Sequence, residues 1–319
     1  MRAVMLGTGP FAVPSLCALH ASQHEVVLVV SRPPRGRRVV LSPVQAVAED
    51  LRIETWLPDS VNSDPARARL ASLKPDLLVV CDYGEILKST TLGVTRLGGI
   101  NLHGSLLPKY RGAAPVQWAI LSGDEVTGNT VIQMTPGLDA GPCLGFQQIP
   151  IDPDETAGEL ESRMAQLGAD LVLEVVDQLE TGTTKPTLQD TSQSTKAPRL
   201  SKTDGAIQWS QTARQIKNQV RGLQPWPRAY TNWYRADHDP QRLILHRVSV
   251  DAGILPPVSA TPGTVVSVEP NVLIATGNEL LRLEMLQPAG KRVMKAAEFL
   301  RGNALRVGDR LGPDRADLV

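Results

Sequence analysis

Leu97-Gly98-Gly99-Ile100-Asn101-Leu102-His103-Gly104-Ser105-Leu106-Leu107-Pro108-Lys109-Tyr110-Arg111-Gly112-Ala113-Ala114-Pro115 reads as a short buried strand that ends in polar chemistry. Residues two apart on a strand share a face, so Asn101 and His103 can address one substrate atom, one through an amide and the other through an imidazole. A second apolar strand, Thr130 to Met134, runs into Thr135-Pro136-Gly137-Leu138-Asp139-Ala140-Gly141-Pro142, a Gly- and Pro-rich loop with one carboxylate. Asn101, His103 and Asp139 are therefore the candidate catalytic set.

Outward from that stretch the first half alternates strands with helices. Ala3 to Leu6, Glu25 to Val30, Asp76 to Cys81, Gly99 to Leu102 and Thr130 to Met134 read as buried strands. Phe11 to Leu19, Pro43 to Leu51, Pro65 to Leu73 and Pro115 to Leu121 read as the helices between them. Strands separated by helices imply parallel βαβ units in an open Rossmann-like α/β sheet, with its site at the carboxyl ends of the strands. From 156 to 180, Leu160, Met164, Leu167, Leu171, Val175 and Leu179 recur every three or four residues and predict the longest helix.

Residues 181–205 are rich in Thr, Ser, Gln and Lys and read as a linker or extended surface segment, giving domains at 1–205 and 206–319. The second domain opens with a helix over Ser210 to Arg221. Five β-like runs follow, at Ala229 to Tyr234, Arg242 to Val250, Gly263 to Val268, Asn271 to Thr276 and Leu280 to Leu286, which suit a small OB-like barrel.

No apolar run reaches the roughly 18 to 20 residues of a membrane span, and Met1 to Gly7 meets a glycine turn too early for a signal peptide. A cytoplasmic protein without membrane contact is expected. Cys17, Cys81 and Cys143 form no CxxC pair, and no histidines share metal-ligand spacing, so neither disulfides nor a metal site are expected. Cys143 near Asp139 reads as a small buried residue rather than a nucleophile. Net charge is zero, yet residues from 206 onward hold 15 Lys plus Arg against 10 Asp plus Glu, a basic excess that could meet phosphate or simply be solvated.

Gly7-Thr8-Gly9-Pro10 after the first strand resembles a dinucleotide turn, but no acid closes the second strand, where Val30 leads into Ser31-Arg32. A tight strand-to-helix turn is the better reading. Arg32-Pro33-Pro34-Arg35-Gly36-Arg37-Arg38 is a basic loop, solvated or phosphate-facing.

Asn101-Leu102-His103, Ser105-Leu106-Leu107-Pro108 and Gly137-Leu138-Asp139-Ala140-Gly141 together resemble the folate-dependent formyltransferase family. The longer run His103 to Pro115 is most similar to the members that act on methionyl-tRNA. Met1 to Leu19, Ser42-Pro43-Val44, Gln224-Pro225-Trp226-Pro227 and Leu286 to Lys291 extend the resemblance in the same order over essentially the whole chain. It implies 10-formyltetrahydrofolate as formyl donor and initiator methionyl-tRNA as acceptor, on a monomer without metal. It also implies that Ser105, Leu106, Leu107 and Pro108 form part of the folate wall, and that the C-terminal barrel and the basic loop hold tRNA, with Arg35, Arg37, Arg38 and Lys202 as contacts. Direct formyl transfer needs donors for an oxyanion and a path for the amine proton. Asn101 and a protonated His103 would supply the donors, and Asp139 would hold that charge and relay the proton.

Three places depart from the family pattern, one being the basic loop 32–38, which is a few residues shorter than the family's and holds less Lys, Gly and Pro. Gly9-Pro10 stands where a Pro followed by an acid is usual, and Asp82, in the loop Asp82-Tyr83-Gly84 that lines the pterin pocket in the family, stands where Ala is usual. Amino-sugar formyltransferases and formyltetrahydrofolate hydrolases share the Asn, His and Asp set. A nucleotide-dependent oxidoreductase and a non-catalytic RNA-binding module are the rivals from other classes.

Overall fold

A computed structural model describes residues 1–34, 40–235, 238–251, 253–257 and 260–312. The chain divides into two compact units. Met1–Val116, Glu125–Ile151 and Glu159–Pro198 form the first; Gln117–Asp124, Asp152–Gly158 and the chain from Arg199 form the second.

The first unit runs β1 (Arg2–Gly7), α1 (Val13–Ala21), β2 (Glu25–Val30), α2 (Pro43–Asp50), β3 (Thr55–Trp56), α3 (Asp64–Ser72), β4 (Leu77–Cys81), α4 (Ser89–Leu92), β5 (Gly99–His103) and β6 (Arg111–Gly112). The chain then passes through α5 (Pro115–Ser122), most of which belongs to the second unit, before β7 (Val126–Gln133), β8 (Cys143–Pro150), α6 (Ala157–Thr181) and β9 (Lys196–Ala197). One sheet has the order β3-β2-β1-β4-β5-β7-β8. Ala3 to Leu6 and Leu77 to Cys81 are buried throughout, the near-continuous apolar run expected of parallel strands covered on both faces. Local chemistry starts the helices. Ser42 and Gln45 close a reciprocal capping box around Pro43 at α2, and Ser63 caps α3.

The strand expected at Thr130–Met134 is longer and runs the other way. The pairs β1–β2, β1–β4, β2–β3 and β4–β5 are parallel, whereas β7 is antiparallel to β5, with His103 opposite Thr130 and Ile100 opposite Gln133. The chain leaves β5 at its carboxyl end and enters β7 from that same end, so no return crossover is made, and β7 and β8 close the sheet as an antiparallel hairpin. Leu160, Met164, Leu171 and Val175 of α6 are buried, and Asn129 Nδ2 of β7 donates to Met164 O at 2.8 Å.

The segment after α6 is extended and mostly exposed, but it is paired. Thr187 bridges Cys143, and β9 lies parallel to β6.

The second unit contains α7 (Ala213–Gly222), β10 (Tyr230–Arg235), β11 (His238–Asp251), β12 (Val265–Ser267), β13 (Val272–Ala275), β14 (Leu280–Pro288), β15 (Met294–Lys295), α8 (Ala296–Gly302) and β16 (Arg310–Gly312). Its antiparallel order is β12-β13-β14-β11-β10-β16, with β15 on β14. The ends nearly meet: Thr264 bridges Arg310 and Leu311 N donates to Gly263 O at 2.8 Å, so the sheet is barrel-like. Trp233 and Phe299 meet edge to face at 5.8 Å in its core, where α7 contributes Ala213, Ile216 and Val220.

Candidate active site

Alternation along β5 puts Asn101 and His103 on one face and Leu102 on the other. His103 is buried, and its Nε2 lies 2.7 Å from Tyr110 O. A carbonyl can only accept, so Nε2 carries the hydrogen and Nδ1 is left facing Asp139 Oδ1 at 3.8 Å. Asn101 is half-buried, and its amide makes no side-chain hydrogen bond among the described residues.

Because β7 is antiparallel to β5, the loop that follows it begins beside the wrong end of β5. Residues 134–142 nevertheless bring Asp139 back to His103. Gly112 N donates to Asp139 Oδ2 at 3.0 Å, fixing one carboxylate oxygen and leaving the other toward the imidazole. Asp139 itself has φ +48°, a left-handed conformation that costs a non-glycine residue about 1 kcal/mol or more and is found where a site demands it. Gln189 holds the same loop from outside, its Nε2 donating to Asp139 O and Gly141 O at 2.8 Å each.

The turn between β5 and β6 is built on Ser105. Its Oγ donates to Tyr110 O at 3.3 Å and accepts from Tyr110 N at 3.0 Å, and its own carbonyl accepts from Thr130 Oγ1 at 2.7 Å. Ser105 is fully buried, so its hydroxyl shapes the turn, while Leu106, Leu107 and Pro108 are half-buried around it.

Asp82 and Gly9, two of the positions that depart from the family pattern, meet in space. A Cβ built on Gly9 would lie 1.8 Å from Asp82 Oδ2, so the carboxylate occupies the space a side chain at position 9 would take. Thr8 N also donates to Asp82 O at 3.1 Å, joining the two loops. Burial first, and Asp82 second, push the Glu161 carboxyl on α6 above the ordinary glutamate range.

Arg35, Arg37 and Arg38 lie outside the described residues. Lys202 is exposed in the short turn Lys202–Gly205. Arg32, which opens the basic loop, is engaged: its Nη1 donates to Glu85 Oε2 at 2.7 Å. Some of the C-terminal basic side chains are engaged within the protein: Arg221 is buried and donates to Asn218 Oδ1 and to the carbonyls of Asp152 and Glu155, and Arg247, Arg282 and Arg292 pair with Glu284, Asp251 and Glu298. Among the described residues one trio is spaced as metal ligands, His24, Asp177 and Glu180, and it includes no residue of this site. Sequence reasoning overlooked Gly112, Tyr110 O and Gln189. The first two act through backbone atoms, and Gln189 sits in a polar segment without periodicity.

This arrangement has clear relatives. Residues 1–176 match the family model described as formyl transferase, and residues 199–304 match its C-terminal domain. The chain belongs to the formyl transferase family. A methionyl-tRNA formyltransferase of Rhodopirellula baltica is 42% identical over 98% of this chain and 96% of its own, and one of Geobacter metallireducens is 40% identical over 97% and 98%. Formyl transferase architecture also appears in solved structures of low identity. WlaRD, a sugar 3N-formyl transferase, superposes with a TM-score of 0.66 at 16% identity, covering 92% of this chain and 99% of its own. The N-formyltransferase of Helicobacter canadensis superposes with a TM-score of 0.67 at 17% identity, covering 89% and 99%. No helix among the described residues of this formyl transferase is long and apolar enough to cross a membrane.

Proposed function

We propose that this protein transfers the formyl group of 10-formyltetrahydrofolate directly to the α-amine of methionine on initiator tRNA. The observation that carries the reading is the site geometry: an Asn101 amide without a side-chain hydrogen bond among the described residues, on the strand face of His103, whose Nδ1 looks at a carboxylate held by Gly112 N–H. Relatives at about 40% identity over nearly the full chain select the acceptor.

The neutral amine attacks the formyl carbon, forming the new C–N bond while the carbonyl oxygen becomes an oxyanion. Asn101 Nδ2 and, with His103 doubly protonated, its Nδ1–H supply donors to that oxygen, both held in place before reaction. The amine nitrogen sheds its proton through Asp139, directly or by one water. Collapse re-forms the carbonyl and breaks the bond to N10 of the folate, which leaves with a proton. Chemistry and folate belong to residues 1–205 in this reading, with Leu106, Leu107 and Pro108 against the folate and Ser105 shaping that wall. Residues 206–319, Lys202 and the arginines of the 32–38 loop hold tRNA by phosphate contacts. The working form is a cytoplasmic monomer that needs no metal.

The test is incubation of the purified protein with 10-formyltetrahydrofolate and methionyl-tRNA, followed by detection of formyl-methionine. An amino-sugar nucleotide offered in place of the tRNA should stay unformylated. Formylation of the sugar alone would overturn the reading.

A further inference from the structure

We propose that Gln189 is a positioning residue for Asp139, carried on a strap, residues 187–197, that completes the site from a part of the chain neither family match covers. The matched regions end at 176 and resume at 199, so this segment stands between them. It nevertheless grips both sides of the site. At one end Thr187 and Cys143 exchange backbone hydrogen bonds of 2.8 and 2.9 Å. At the other, Arg111 N donates to Thr195 O at 2.8 Å and Ala113 N to Ala197 O at 2.8 Å.

Gln189 lies between these grips and uses both ends of its amide. Its Nε2 donates to Asp139 O and Gly141 O, while its Oε1 accepts from Arg111 Nε at 3.1 Å and Nη2 at 2.7 Å. One neutral side chain therefore ties the carboxylate loop to the residue beside Gly112, whose N–H holds Asp139 Oδ2. Both supports of Asp139 thus run through the same short stretch, Arg111 and Gly112. A Gln suits the place because it can donate to two carbonyls and accept from a guanidinium at once. A Glu would keep the guanidinium but lose both donors and face the two carbonyls with charge.

The inference rests on the proposed formyl transfer for its kinetic readout, and the full chain is the test object. Gln189→Ala and Gln189→Glu should each slow single-turnover formylation of methionyl-tRNA at least tenfold, with KM for both substrates within twofold of the parent. If Gln189 acts through Asp139, adding Gln189→Ala to Asp139→Ala should change the residual rate less than twofold, since residues acting as one unit are not additive. Hydrogen exchange at the Gly112 amide gives a readout independent of activity, and it should quicken at least tenfold in Gln189→Ala. Full activity in either variant, or an equal slowing in the parent and Asp139→Ala backgrounds, would overturn the proposal. A parent protein that formylates no methionyl-tRNA would instead sink the functional reading, and unchanged Gly112 exchange would then still decide against the clamp.

Discussion

The imidazole of His103 is pinned by its Nε2 hydrogen bond to Tyr110 O at 2.7 Å, so the chemistry of this histidine is confined to Nδ1. Asparagine and glutamine can each replace one of these nitrogens. His103→Asn keeps a polar atom near the Nδ1 position, whereas His103→Gln keeps a donor toward Tyr110 and empties the Nδ1 position. Loss of one oxyanion donor costs about 2.7 to 4 kcal/mol, a hundred- to thousandfold in rate. In single-turnover formylation, His103→Gln should show that full loss and His103→Asn a smaller one. Equal rates in the two variants would show that Nδ1 is not the working atom.

Asn101→Ala removes an amide that makes no side-chain hydrogen bond among the described residues, so it should leave stability nearly unchanged while slowing the chemical step by a similar hundredfold or more. Denaturant unfolding alongside rapid-quench formylation separates the two effects. A variant that unfolds early but reacts at the parent rate would assign Asn101 a purely structural part.

Gly112 has φ +130°, and a Cβ there would lie 2.3 Å from Ala197 O. Gly112→Ala must therefore push β9 away or rotate its own backbone, at a cost of about 1 to 3 kcal/mol. Either movement disturbs the N–H that holds Asp139, so stability and turnover should fall together. Chemical denaturation and kcat measured on one preparation would check this, and a fully stable, fully active variant would contradict the role given to the β6–β9 pair.

Ile100, Asn101, Leu102 and His103 announce a strand with two polar groups on one face, because apolar spacing reports burial. Spacing does not report direction, so Thr130 to Met134 could be read as a strand without revealing that β7 runs against β5. Asp139 could be chosen from its loop and its resemblance, but its partner Gly112 N–H could not, since any residue except proline offers that group. Gln189 lay hidden for a different reason. A polar side chain in an unpatterned segment carries no periodic signal, and only the fold shows that its amide reaches both Arg111 and the Asp139 backbone.

In the second unit, Trp233 is 2% exposed, packs on Phe299 and donates from Nε1 to Asp309 Oδ2 at 2.9 Å. Trp233→Ala removes that packing and leaves a cavity, which typically costs about 3 to 5 kcal/mol. Trp233→Phe keeps most of the volume and loses the indole donor, so it should cost less. Urea unfolding followed by circular dichroism should rank parent, Phe and Ala in that order, and an Ala variant as stable as the parent would remove Trp233 from the centre of the barrel core.

Glu161 links the two loops that carry Gly9 and Asp82 to the pH dependence of stability. Burial and the Asp82 charge hold its carboxyl above the ordinary value of 4.5, so the folded state binds its proton more tightly than the unfolded chain does. Its contribution is therefore fully present below that ordinary value and is lost as pH rises through the folded pKa, because over that interval the unfolded chain has already released a proton that the folded state still holds. Glu161→Gln removes the titration, so its stability should stay flat where the parent declines, over the interval beginning near 4.5. Asp82→Asn removes the second cause but not burial, so it should shrink the decline without abolishing it. Unfolding free energies of the three proteins, measured in urea at intervals from about pH 4 to 8, decide the point. Parent and Glu161→Gln curves that run parallel would show that Glu161 feels neither burial nor Asp82, and would separate the acid over Gly9 from the helix that faces it.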